Sequence, residues 1–154
     1  MFACIILTMG KAARAIIIEN NKVLVMYRNK QGSQYYTLVG GRVGENETVE
    51  DALVREVKEE TGLNITNARL VFVEYHQPPY NEQYIYLCEV APHADIAIQD
   101  TSEEAYLNKL SVNIHKPLWA DKKGFAALPF RTPQLQAAIV KGLKKGFNKE
   151  AARL

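Results

Sequence analysis

Apolar and polar positions along the chain change period several times, and those changes mark its elements. "ARAIIIENNKVLVMYR" (residues 13–28) is two β-branched-rich runs around Asn20-Asn21, a pair suited to a hairpin turn. Residues 31–34, with Gly32 and Ser33, read as a loop, and "YYTLVGG" as a short strand running into glycines. Residues 48–61 switch to helical spacing, with Val49, Leu53 and Val57 on one stripe. "ARLVFVEYHQ" and "QYIYLCEVA" return to strand, parted by the turn-forming "PPYNE". From Pro92 to Asn108 the pattern weakens, and a long loop is expected. "NIHKPLWA" resumes as a strand. In "TPQLQAAIVKGLKKGF", Leu135, Ile139, Leu143 and Phe147 recur every four residues, which predicts an amphipathic helix. Strands and helices mix without regular βαβ alternation, repeat or linker. The fold class expected is α+β, one domain with a mixed sheet and flanking helices.

The helix at 48–61 has the clearest end signals: Thr48 to cap it, Glu50 and Asp51 in its first turn, and Gly62 to stop it. It also concentrates negative charge. Like charges three or four apart on a helix cost about 0.2–0.5 kcal/mol a pair. At about 100° per residue, Glu56 and Glu60 fall on or beside the apolar stripe, and Glu59 lies next to it. Acidic runs on helices usually form solvated faces, but these carboxylates sit on the side that packs. Desolvating them unpaired is costly, and Arg55 can serve one of them rather than three. A divalent cation resolves the conflict, because oxygen ligands a turn apart suit Mg²⁺ or Mn²⁺. The preceding "GGRVGENE", with Gly40, Gly41 and Gly44, lets the backbone approach a ligand closely.

Composition narrows the reading. A chain of 154 residues, 47% hydrophobic and 23% charged, suffices for one ordinary core. A net charge of +2 does not advertise nucleic-acid binding. Cys4 and Cys88 match no zinc or disulfide spacing, so a cytoplasmic, reducing setting is expected. The apolar start from Phe2 to Leu7 is too short to span a bilayer, and no membrane partner is expected. Residues 1–10 are read as an N-terminal extension, with Met9 as an alternative start. Five cations in residues 132–154 against Glu150 read mainly as a solvated helix face.

The segment from Gly41 to Leu63 resembles the box of the Nudix hydrolase (MutT-like) family, G-x5-E-x7-R-E-U-x-E-E-x-G-U, with U a bulky aliphatic. Gly41, Glu47, Arg55, Glu56, Val57, Glu59, Glu60, Gly62 and Leu63 fill every specified position. Val39 stands where many members carry proline. The resemblance implies a single Nudix domain over residues 11–150, with an α/β/α sandwich around a mixed sheet. It implies divalent-metal-dependent hydrolysis of a pyrophosphate bond in a nucleoside diphosphate derivative, with Mg²⁺ expected and Mn²⁺ as an alternative. Glu56, Glu60 and the carbonyl of Gly40 would be metal ligands, joined by Glu59 directly or through water. Arg55 would pair with Glu47 and orient the glutamates, with Gly41 and Gly62 structural. The base would be Glu59, or Glu103 or Glu104 returning from the downstream loop. Many members are dimers, so a homodimer is admitted.

Substrate signals conflict. In the family, a proline about 15 residues beyond the box accompanies ADP-ribose hydrolysis, and Pro78 fits. A tyrosine near 17 accompanies dinucleoside polyphosphates, and Tyr80 fits. ADP-ribose or a nucleotide sugar leads. Nucleoside triphosphates, dinucleoside polyphosphates and a non-catalytic nucleotide-binding module are the alternatives. Arg28, at a strand end, is expected to contact phosphate, and Tyr80 to contact substrate. His76, His93 and His115 have no ligand spacing and are assigned no role.

Overall fold

The computed structural model describes residues 10–75 and 82–154. Residues 1–9 of the expected N-terminal extension, Cys4 among them, and the turn bearing Pro78 and Tyr80 lie outside the described residues.

Strands β1 (Lys11–Glu19) and β2 (Lys22–Lys30) form the expected hairpin. Asn20 and Asn21 both take left-handed φ, 50° and 62°, the geometry that matches strand twist in a two-residue turn. The loop expected at 31–34 shrinks to Gln31-Gly32. Ser33 and Gln34 instead open β3 (Ser33–Thr37), paired with Lys30 and Asn29. Strand β4 (Val39–Arg42) leads through the glycine loop into helix α1 (Val49–Thr61). β5 (Ile65–Tyr75) and β6 (Glu82–Val90) pair antiparallel. The long loop expected from Pro92 to Asn108 needs correction, because helix α2 (Glu103–Leu110) occupies its end. This helix buries none of its residues, so it leaves no apolar stripe in the sequence to find. Then follow β7 (Asn113–Asp121), a short α3 (Lys122–Ala127), α4 (Pro133–Lys145) and β8 (Ala152–Arg153).

β1 lies between β6, which it meets in parallel, and β4, which it meets antiparallel; β5 and then β8 continue beyond β6. β3 and β7 flank β2. Because β1 meets β2 only near their shared turn, at Ile18–Val23 and Glu19–Lys22, the two strands diverge away from it. Alternation along the strands divides the core. Ala13, Ala15, Ile17, Leu24, Met26 and Tyr86 face α1, packing on Ala52, Leu53 and Val57. Ile16, Val23, Val25 and Ile85 face the other way, onto Phe125, Leu135 and Ile139 of α3 and α4. Strands covered on both faces read as continuous apolar runs, which explains "AIII" and "VLVM". The result is the expected α/β/α sandwich. Among the described residues, no helix is long and apolar enough to cross a membrane.

Candidate functional site

The site grows from the ends of α1. Thr48 Oγ1 accepts from Asp51 N–H at 3.0 Å, and Gly62, at φ 81°, closes the helix by donating to Lys58 O at 2.9 Å. Glu47 accepts from Arg55 Nε at 2.7 Å and Nη2 at 3.0 Å, and from Gly44 N–H at 2.8 Å. Arg55 Nη2 also donates to Arg42 O at 3.0 Å. The loop is thereby clasped to the helix, and the Arg55 guanidinium holds the Glu47 carboxyl down at about 2. Arg55 serves more carboxylates than the sequence argument allowed. Its Nη1 reaches Glu56 Oε1 at 2.9 Å and Glu59 Oε2 at 3.3 Å, because a planar fork can serve several acceptors at once.

Two glycines bring strand β4 against this helix. A Cβ on Gly41 would stand 2.6 Å from Glu56 Cδ, so only glycine admits that carboxylate. Gly40 has φ 136°, and a Cβ there would meet Ala13 O at 2.0 Å. Its N–H donates to Glu60 Oε2 at 3.2 Å, and its carbonyl accepts from Arg14 Nη1 at 2.9 Å.

Among the described residues, Glu56, Glu60 and Glu104 each offer an oxygen, and these atoms lie within 4.8 Å of one another. Glu56 and Glu60 are 7% and 3% exposed. Burial raises the carboxyl pKa of all three, most strongly at Glu60, where Arg14 opposes the shift and Glu104 and Glu56 reinforce it. Oε2 of Glu56 and Oε2 of Glu104 are buried and find no hydrogen-bond partner among the described residues. Orphaned, clustered carboxylate oxygens are the donor set a hard divalent cation satisfies, so these residues fit Mg²⁺ or Mn²⁺. Glu59 stands outside the trio, on Arg55.

How Glu104 arrives is local chemistry. Segment 91–101 binds the carbonyls left free at the end of α1: Gln99 N–H donates to Glu59 O at 2.8 Å and Ala97 N–H to Thr61 O at 3.0 Å. Ser102 then caps α2, accepting from Ala105 N–H at 3.1 Å and donating to Gln99 O at 2.7 Å.

A cavity of about 360 Å³ opens over the trio. Its other wall is basic, with Arg14, Arg28, Lys30 and Arg42. Arg28 is where the sequence reading expects a phosphate contact. Its Nη2 donates to Asn113 Oδ1 at 2.8 Å, and burial lowers its pKa. His115, assigned no role from the sequence, lines the same cavity. It is held neutral by burial and by the Arg28 charge, with its pKa pushed down to about 4. Arg14 was also missed. Its signal was a lone charge inside an apolar strand run. Tyr80 lies outside the described residues.

A family model described as "NUDIX domain" matches residues 9–128. The chain is 49% identical over 53 residues to an ADP-ribose pyrophosphatase of Methanocaldococcus jannaschii, covering 34% of this chain and 31% of that one. It is 33% identical over 69 residues to the NAD-capped RNA hydrolase NudC of Vibrio atlanticus, covering 45% and 23%. These matches span less than a third of the relatives' own lengths. Among solved structures, a NUDIX hydrolase from Nitrosomonas europaea superposes with a TM-score of 0.65 at 18% identity, covering 90% of this chain and 91% of that one. At that identity the likeness is one of fold.

Proposed function

Since the chain belongs to the Nudix hydrolase family, we propose that it hydrolyses the pyrophosphate bond of a nucleoside diphosphate derivative with a divalent cation, Mg²⁺ first. The observation that carries this is the convergence of Glu56, Glu60 and Glu104 from two helices, with two buried oxygens lacking partners. A cation bound there supplies neutralisation of phosphate oxygens and acidification of nearby water. Glu56, Glu60 and one oxygen of Glu104 would hold it, with the Gly40 carbonyl beside them. Arg55 fixes the rotamer of Glu56 and keeps Glu59 close. Glu104 accepts the proton of the attacking water at Oε2, and burial keeps that carboxyl basic enough to do so. Glu59, its oxygen already engaged by Arg55, stands in the outer circle of the same site. Arg28 binds the phosphate oxygens from the opposite wall, and Asn113 holds it in place.

ADP-ribose or a nucleotide sugar is the leading substrate class. The Methanocaldococcus relative supports it, at the higher identity of the two compared. The NudC relative supports adding NAD and NAD-capped RNA to any panel. The test is product analysis with Mg²⁺ over ADP-ribose, nucleotide sugars, dinucleoside polyphosphates, nucleoside triphosphates and a capped RNA. Cleavage of ADP-ribose to AMP and ribose 5-phosphate is expected. Nucleotide binding without turnover across the panel would instead favour a binding module on this fold.

A further inference from the structure

Resting on that reading of the site, we propose that Asn108 is a positioning residue, whose side-chain amide registers helix α2 against strand β7 and so sets where Glu104 meets Glu56 and Glu60. Helix α2 needs such a device. None of its residues is fully buried, so no apolar knob locks its position. Its start is tethered through Ser102 and Gln99 to the end of α1. Past its far end, Gln31 N–H donates to Val112 O at 3.2 Å, which ties the linker to the β2–β3 turn and leaves the helix itself to be oriented, with Glu104 in its first turn.

Asn108 supplies a second anchor. It sits one turn beyond Glu104, on the same helical face. Its Oδ1 accepts from His115 N–H at 2.6 Å, and its Nδ2 donates to His115 O at 2.8 Å. Among the described residues β7 pairs with β2 on one side only, so a single amide satisfies both backbone groups of His115 as a neighbouring strand would. The segment it grips is the one that serves the basic wall: Arg28 lies opposite His115 in the β2–β7 register and donates to Asn113. The clamp therefore fixes the spacing between the carboxylate carried by α2 and the arginine across the cavity. Purely structural asparagines abound in loops, but this one bridges the element that carries Glu104 to the strand facing it.

The test is Mn²⁺ affinity of the full chain, read from the paramagnetic resonance of free Mn²⁺, for wild type, Asn108→Ala, Glu104→Gln and the double variant. Each single change is expected to weaken binding about tenfold, at the low end of losses for groups that orient ligands. The double variant is expected to be no weaker than Glu104→Gln, because the amide acts only through that carboxylate. Wild-type affinity in Asn108→Ala overturns the proposal, and so do losses that add in the double variant. Binding that depends on Glu104 and ignores Asn108 sinks this inference alone. Failure of the wild type to bind Mn²⁺ removes the metal reading and the inference with it. Circular dichroism checks each fold. Asn108→Gln, which keeps the amide but displaces it by a methylene, carries the same cycle if the alanine variant does not fold, with an intermediate loss expected.

Discussion

At the scale of single residues, Glu60 holds the sharpest conflict between stability and function. It is buried, its N–H partner comes from Gly40, and two further carboxylates face it. Replacing Glu60 with Gln removes a desolvated charge while keeping the shape. Turnover should fall by at least about a hundredfold with loss of a ligand to the cation, whereas the metal-free variant at pH 8 should melt no lower than wild type. Parallel rate and melting measurements check both halves, and a near wild-type rate would remove Glu60 from the metal site. His115 makes the opposite kind of prediction. Burial and the Arg28 charge put its folded pKa near 4, below the ordinary value of 6.5. The unfolded chain therefore takes up a proton that the folded one refuses. Its contribution is full above pH 6.5 and is lost as pH falls towards 4. Between pH 7 and 5 the urea midpoint of wild type should drop further than that of His115→Gln.

At the scale of elements, α1 is stabilised by its ends and functions through its middle. Thr48→Ala removes the hydroxyl that accepts from Asp51 N–H, and should lower unfolding free energy by about 1 kcal/mol. Urea titration at fixed Mg²⁺ measures that loss. This helix was also the most legible element, because caps, stripe and charge all pointed to the same span. Strands β1 and β2 were legible for a related reason: burial on both faces turns them into apolar runs. Helix α2 was not legible, since none of its apolar residues is buried and its placement depends on hydrogen bonds from Gln99 to Glu59 O and from Asn108 to His115 that leave no periodic trace. The same physics divides the site. Glu56 and Glu60 could be read from spacing along one helix. Arg14, Asn113 and His115 reach the cavity only because it lies between the far ends of β1 and β2, where those strands diverge and β7 follows β2, and sequence spacing does not encode that arrangement.

At the scale of the whole molecule, the carboxylate trio and His115 give folding stability pH dependences of opposite sign. Glu56, Glu60 and Glu104 have raised carboxyl pKa values, from burial first and mutual repulsion second. The folded state holds those protons after the unfolded state has released them. The stability so gained is fully present below the ordinary carboxylate pKa of 4.5 and is lost as pH rises through the folded values. His115 works against this below pH 6.5, and His93, its pKa raised by its contacts to Ala94 O and Glu19, works with it, so the variant with both histidines changed to Gln is the background in which the trio is seen. In that background, with chelator present, the melting temperature should fall as pH rises from 5 to 8. A divalent cation held by the trio would favour its deprotonated form and should reverse the trend, since its affinity increases as protons leave. At a hundred times its dissociation constant it adds about 2.7 kcal/mol to unfolding. Melting scans with EDTA and with excess Mg²⁺ across that range measure both slopes. The gap between the two curves must widen with pH and close in Glu60→Gln. Parallel curves would mean that Mg²⁺ acts elsewhere on the surface, and the cavity would then lose its claim to the cation.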